Sequence, residues 1–232
     1  MLSEELIGHY LFNRTAKEFA IAIDSSIATN TYFRGDLFLT VTKRELPIGA
    51  RILDYGCGPG RIARMIAEHG YEVEAVDPSP MMIREAENQN KRGLQLTFRV
   101  NSGTGNDLED GAYSGIICSS VVDFVPDVDR LLRNFSRALN QNGTLILSYG
   151  NKYSLWRLYS SLRHRANLPH LSAQRNVWGF RQAKLALTKS GFEVTSGPVF
   201  FEGAPFEKRP RLRFLTSSQF IGILGLITAR KK

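Results

Sequence analysis

The stretch LDYGCGPG, Leu53 to Gly60, stands between an apolar run and the segment RIARMIAEHG. Gly56, Gly58 and Gly60 alternate with other residues, which permits a tight turn and close approach of backbone to a ligand. RILDYG reads as a strand that ends on glycine. RIARMIAEHG reads as a helix with Ile62, Met65 and Ile66 on one face and Gly70 as its stop. The glycines therefore form a strand-to-helix loop at the carboxyl end of a strand, where open α/β sheets bind their ligands.

Outward from this loop the pattern repeats. YEVEAVD is a second strand. SPMMIREAENQNKRG is a helix with Ser79 as N-cap, Pro80 at its first position and Gly93 at its close. LQLTFRV and SGIICSS are the third and fourth strands. DVDRLLRNFSRALNQNG is a helix capped by Asp127 with Leu131, Leu132, Phe135 and Leu139 on one face, and TLILSY is the fifth strand. Strands alternating with helices predict a doubly wound parallel α/β sheet. After Gly150 the alternation breaks. Residues 151–176 hold a basic amphipathic stretch, residues 177–190 a further helix, and FEVTSGPVF and FIGILGLITAR two late strands. The Pro- and Arg-rich FEGAPFEKRPRLRF between them is expected to be a loop. Residues 1–45 read as mainly helical and are placed as an N-terminal lid.

Two ligand classes compete for the loop. A dinucleotide site has the pattern G-x-G-x-x-G, with pyrophosphate at the helix N-terminus. Here the spacing is G-x-G-x-G and Asp54 stands two residues before the first glycine. A carboxylate there repels pyrophosphate and suits an ammonium or sulfonium group. The second strand ends at Asp77, placed to accept both hydroxyls of a ribose. That reading serves NAD and S-adenosylmethionine alike, and Asp77 also fits a helix N-cap. Asp54 favours S-adenosylmethionine.

LDYGCGPG followed by VDPSPMMIREA resembles the class I S-adenosylmethionine-dependent methyltransferases of small-molecule type, over roughly Arg51 to Tyr149. The resemblance implies a Rossmann-like, mostly parallel seven-stranded sheet of order 3-2-1-4-5-7-6, its last strand inserted antiparallel. It implies one methyltransferase domain over residues 1–232, with N-terminal helices (1–45) and a helical substrate-cap insertion after strand 5 (151–176). Asp54, Gly56, Cys57, Gly58 and Gly60 would seat the methionine part of the cofactor, and Asp77 the ribose. Pro78, Ser79 and Met81 would flank the adenosine, and Ser119, Val121 and Val122 would lie against the cofactor after the fourth strand. Many relatives carry an acid after the third strand, where this chain offers Asn101 and Ser102. Many small-molecule members read Glu-His after the fourth strand, where this chain reads Asp123-Phe124. Candidates for a general base, needed only by an acceptor protonated at neutral pH, are Asp123, His164 and His170. Tyr10, Tyr32, Phe33 and Trp156 are expected to line the acceptor side.

Composition sets the remaining limits. The 232 residues suit one sizeable domain and carry a net charge of +8. Residues 1–150 hold 15 basic and 19 acidic side chains, whereas residues 151–213 hold 12 basic and 3 acidic ones. The basic rear half admits an anionic partner or a membrane face. The amphipathic YSLWRLYSSLRHR reads as a substrate cap first and a membrane contact second. Two cysteines, Cys57 and Cys118, form neither a disulfide framework nor a metal set, so no metal is expected and a reducing cytoplasm is. The opening residues show no secretory signal. The chain reads as an enzyme that methylates an oxygen or nitrogen of a small molecule. A lipid or quinone acceptor at a membrane surface and an RNA acceptor are the competing readings. Nucleic acid is the less favoured partner, since the Asn/Asp-Pro-Pro-aromatic tetrad is absent.

Overall fold

The computed structural model describes residues 29–90, 93–155, 157–158, 174–201 and 215–232, with residues 29–33 described by backbone alone. Its elements in chain order are α1 (Thr29–Glu45), β1 (Arg51–Tyr55), α2 (Arg61–Ala67), β2 (Glu72–Asp77), α3 (Pro80–Asn88), β3 (Leu96–Val100) and β4 (Tyr113–Ser119). Then follow α4 (Val128–Ala138), β5 (Leu139–Gly150), α5 (Phe180–Lys189), β6 (Phe192–Phe201), β7 (Leu215–Thr216) and β8 (Leu224–Lys231). The expected N-terminal helices (1–45) and the expected insertion (151–176) lie in part outside the described residues. So do Tyr10, Trp156, His164 and His170, and the side chains of Tyr32 and Phe33.

One sheet of eight strands runs in the order β3-β2-β1-β4-β5-β8-β6-β7. The first five strands are parallel neighbours, and β8 enters antiparallel between β5 and β6. This is the expected order with one addition. The two-residue β7 pairs with Phe200 and Phe201 at the edge, and so short a strand leaves no periodicity to read. Central strands are apolar on both faces because helices cover both. On one face Ile52, Val73, Ala75, Ile117 and Ile146 pack with Phe38 and Val41 of α1 and Ile62 and Ile66 of α2. On the other, Leu53, Ile116, Leu145 and Leu147 pack with Leu131 and Phe135 of α4 and Ala183 and Leu187 of α5. The Tyr55 and Phe135 rings meet edge to face at 4.9 Å, a geometry that contributes about 0.5–1.5 kcal/mol beyond area burial.

The caps form as expected. Ser79 accepts a hydrogen bond from the Met82 N–H at 3.2 Å, and Asp127 accepts one from the Arg130 N–H at 2.9 Å. Several boundaries differ from expectation; α3, for one, ends at Asn88, short of Gly93. The α4 helix stops at Ala138, not Gly143, because Asn140-Gln141-Asn142-Gly143 prefers turns to helix. Leu139 instead pairs with Tyr113 of β4, and Asn142 takes a positive φ of 63° before pairing resumes at Gly115 and Thr144. The last strand starts at Leu224, not Phe220. The buried Asn151 side chain donates to the Gln219 and Gly222 carbonyls and holds the preceding segment as a turn.

Gly225 pairs with Tyr149 across β8 and β5, and the Tyr149 ring lies over it. A Cβ there would stand 2.6 Å from Tyr149 Cζ in a fully buried site. Gly225→Ala should lower stability by about 1–3 kcal/mol through overpacking, seen as a lower urea midpoint at unchanged m-value. No helix among the described residues is long and apolar enough to cross a membrane.

Candidate functional site

Parallel strands β1 to β5 all end on one edge of the sheet, and the glycine loop stands there. Gly56, Gly58 and Gly60 have φ of 73°, 54° and 74°, the left-handed region that glycine enters without steric cost. The Gly56 and Cys57 amides both donate to the Val76 carbonyl, at 2.7 and 3.0 Å. The loop is thereby folded back onto the end of β2. Side chains also press on it. A Cβ on Gly56 would lie 2.2 Å from Val121 Cγ2, and one on Gly60 2.5 Å from the Phe98 ring.

Two carboxylates flank the loop. Asp77 Oδ2 accepts from the Gly58 N–H at 2.9 Å, and Asp77 Oδ1 from the Ser79 N–H at 2.9 Å. Asp77 thus ties the glycine loop to the start of α3. The N-cap of α3 is Ser79, and Asp77 supports the turn that precedes it. Asp54 is 2% exposed, and its Oδ2 is buried without a hydrogen-bond partner. Burial, reinforced by the charge of Asp77, raises its carboxyl from 3.8 to about 7, against the pull of the Ala63 amide. A buried carboxyl oxygen without a donor costs free energy, and a cationic group from outside would satisfy it.

The remaining expected residues distribute around the same edge. Asn101 follows β3, 8% exposed, with both its amide oxygen and its amide nitrogen lacking a partner. Ser102 is already committed to Asp107 at 2.8 Å. The Ser79 hydroxyl is used as the α3 cap, whereas Met81 is 40% exposed on the first turn. Pro78, Cys57, Ser119 and Val121 are half-buried at the rim. Val122 turns its side chain into the α4–α5 core instead. Cys118 is buried on β4, where burial pushes its thiol up. Asp123 is fully buried, with Oδ1 accepting from the Gly150 N–H at 2.8 Å and Oδ2 from Gln174 Nε2 at 3.0 Å.

Sequence reasoning missed several residues at this edge. Ser120 adopts a φ of 59°, uncommon outside glycine and frequent at functional turns. Its amide donates to the Ser148 hydroxyl at 3.0 Å, joining the ends of β4 and β5. The Tyr55 hydroxyl is buried close to the loop, against the Asn101 side chain. Gln174 and Asn176 from the returning limb of the insertion and Arg157 from its outgoing limb gather around Asp123. No spacing rule connects them, because their partners stand tens of residues away.

A family model described as a methyltransferase domain matches residues 30–196. The ubiquinone biosynthesis O-methyltransferase of Xanthomonas axonopodis pv. citri (strain 306) is 32% identical over 114 residues, which are 48% of each chain. That of Xanthomonas euvesicatoria pv. vesicatoria (strain 85-10) is 33% identical over 113 residues, 48% of this chain and 47% of the other. The chain spans about half the length of the curated relatives it matches. Among solved structures, a magnesium protoporphyrin IX methyltransferase from Synechocystis PCC 6803 with bound SAH superposes with a TM-score of 0.73 at 19% identity. That match covers 98% of this chain and 99% of the other. A possible histamine N-methyltransferase from Thermotoga maritima gives 0.70 at 20% identity, over 96% and 99%. These structural likenesses establish the fold.

Proposed function

This chain belongs to the methyltransferase domain family, and on that premise we propose that it transfers a methyl group from S-adenosylmethionine to an oxygen or nitrogen of a small molecule. The observation that carries this reading is Asp54 Oδ2, buried without a partner beside three glycines of positive φ. The residues present fit that cofactor. Asp54 would face the ammonium group of its methionine part, and the Gly56–Gly60 backbone would lie along it. Asp77, oriented by Gly58 and Ser79, would accept from the ribose hydroxyls. Asn101, with an unmatched donor and acceptor, suits a heteroaromatic edge such as adenine, and Met81 and Val121 suit its faces. When bound, the cofactor supplies the activated methyl group. The chain's own residues then contribute position and exclusion of water. Ser119 and Ser120 at the end of β4 and Gly150 at the end of β5 border the acceptor side. Within this reading the insertion and the lid supply its walls, including Tyr10, Tyr32, Phe33 and Trp156, and His164 and His170 are its candidate bases.

Calorimetric titration with S-adenosylmethionine and S-adenosylhomocysteine tests the proposal. Asp77→Ala should weaken both by at least about tenfold, the value of a charge-assisted pair of hydrogen bonds. Absence of binding to the wild-type chain, or binding unchanged in the variant, would overturn it.

A second reading, a quinone or lipid acceptor at a membrane surface, has a specific observation in its favour. Leu155 and Leu158 are 62% and 57% exposed, Phe220 and Ile221 52% and 53%. The Leu155 N–H donates to the Phe220 carbonyl, so the two pairs belong to one apolar surface on the basic rear half. The curated relatives named above, ubiquinone biosynthesis O-methyltransferases, accord with it. Flotation with anionic liposomes decides: co-flotation supports this reading, and none leaves a freely diffusing acceptor.

A further inference from the structure

Asp123 joins more chain segments than any catalytic role requires. Its Oδ1 accepts from the Gly150 N–H at the end of β5, and its Oδ2 from Gln174 Nε2. Gln174 Oε1 in turn accepts from Arg157 Nη1 at 2.7 Å. The Asp123 carbonyl accepts from the Arg175 and Asn176 amides at 2.6 and 3.1 Å. Asn176 Nδ2 donates to the Val122 and Val125 carbonyls at 2.9 and 2.7 Å, on either side of Asp123. Just beyond, the Trp178 N–H donates to the Gly150 carbonyl and the Lys152 N–H to that of Trp178. Gly150 has no room for a side chain: a Cβ would lie 2.7 Å from Arg157 Nη2 and 2.8 Å from Asp123 Oδ2. The outgoing limb of the 151–176 insertion and its returning limb are therefore closed on one buried carboxylate.

The same loop reaches the glycine turn, since Val121, two residues before Asp123, stands on Gly56. We infer that Asp123 is a positioning residue: it clamps the neck of the 151–176 insertion to the loop that presses on Gly56, and so sets the acceptor side of the site relative to the cofactor side. This rests on the methyltransferase reading above. Both carboxyl oxygens are engaged and the group is fully buried, so it presents no oxygen to an acceptor. Arg157 and, from α1, Arg34 add positive charge around it. Asp123→Asn keeps the acceptor for Gly150 but turns an amide towards Gln174. Gln174 must then flip its own amide, and it loses Arg157.

Two measurements on the full chain test the clamp. The first is amide hydrogen exchange with and without S-adenosylhomocysteine. Gln174→Ala should speed exchange at Arg175 and Asn176 about tenfold and Asp123→Ala further, while S-adenosylhomocysteine affinity stays within about threefold. In the wild type, S-adenosylhomocysteine should slow exchange at these two amides, and in Gln174→Ala that slowing should be lost. The second is turnover of S-adenosylmethionine with a panel of catechols, phenols and amines. Gln174→Ala should raise the acceptor KM about tenfold with kcat within about threefold, and Asp123→Asn should retain most of kcat. Unchanged exchange at both amides in both variants overturns the clamp. So does an Asp123→Asn enzyme as inactive in kcat as Asp123→Ala, which marks a general base. A wild-type chain that binds no S-adenosylhomocysteine overturns the methyltransferase reading instead, and the ligand-free exchange still decides the clamp.

Discussion

Gly56→Ala should lower affinity for S-adenosylmethionine by about a hundredfold, the scale of a displaced binding loop, and lower the melting temperature as well. The residue sits at a φ of 73°, where a Cβ costs about 1–2 kcal/mol. That Cβ would also stand 2.2 Å from Val121 Cγ2, a distance no packed pair tolerates. Either Val121 moves and disturbs the loop before Asp123, or the glycine turn moves. If the turn moves, the Gly56 and Cys57 amides leave the Val76 carbonyl, and the backbone path that a ligand would follow is lost. Gly111→Ala separates the two effects. Gly111 has a φ of 64° with nothing within 4 Å of a built Cβ, far along the chain from the loop. It should lose about 1 kcal/mol of stability from backbone conformation alone and keep wild-type affinity. Equal affinities for the Gly56→Ala and wild-type chains, by calorimetry, would show that the loop does not seat the ligand.

The parts of this site legible in the sequence are those whose physics is local. A strand ending in alternating glycines, an N-cap serine followed by proline, and a carboxylate at the end of the next strand all carry their meaning within a few residues. The place of Asp54 at the end of β1 beside the glycine loop is legible because it follows from the strand that precedes the glycines. The end of α4 was misplaced because Leu139 continues the apolar helical spacing, and only its pairing with Tyr113 draws it into β5. Asp123 was legible as a polar residue in the right loop, but not in its surroundings. Gly150, Arg157 and Gln174 are brought to it by the antiparallel end of the sheet and the return of the insertion. Nothing in a linear pattern distinguishes a carboxylate that meets an acceptor from one that closes a neck. The same holds for Asn151, whose two carbonyl partners lie beyond β6 and β7.

Asp54 should make cofactor affinity depend steeply on pH. Burial first, and the neighbouring Asp77 charge second, raise its carboxyl to about 7 in the ligand-free protein, from an ordinary value of 3.8. Below about 7 the folded chain holds a proton there that an ammonium group would have to displace, so apparent affinity should fall about tenfold per pH unit. Binding at pH 6 should release close to one proton, measured as a difference in calorimetric enthalpy between buffers of unlike ionisation heat. Stability of the ligand-free chain runs the opposite way. Between the two values the native state binds more protons than the unfolded one, so stability falls as pH rises from about 4 through about 7. A cationic ligand reverses this by supplying the missing partner. Asp123 also titrates in this range, raised to about 6 mainly by burial, so the variant must separate the two. Asp54→Asn should flatten the pH dependence of affinity between about 5.5 and 7.5, weaken binding about tenfold or more at neutral pH, and abolish the proton release. If Asp54→Asn keeps both the slope and the released proton, the linkage belongs to another group, and Asp54 is not the seat of the ligand's charge.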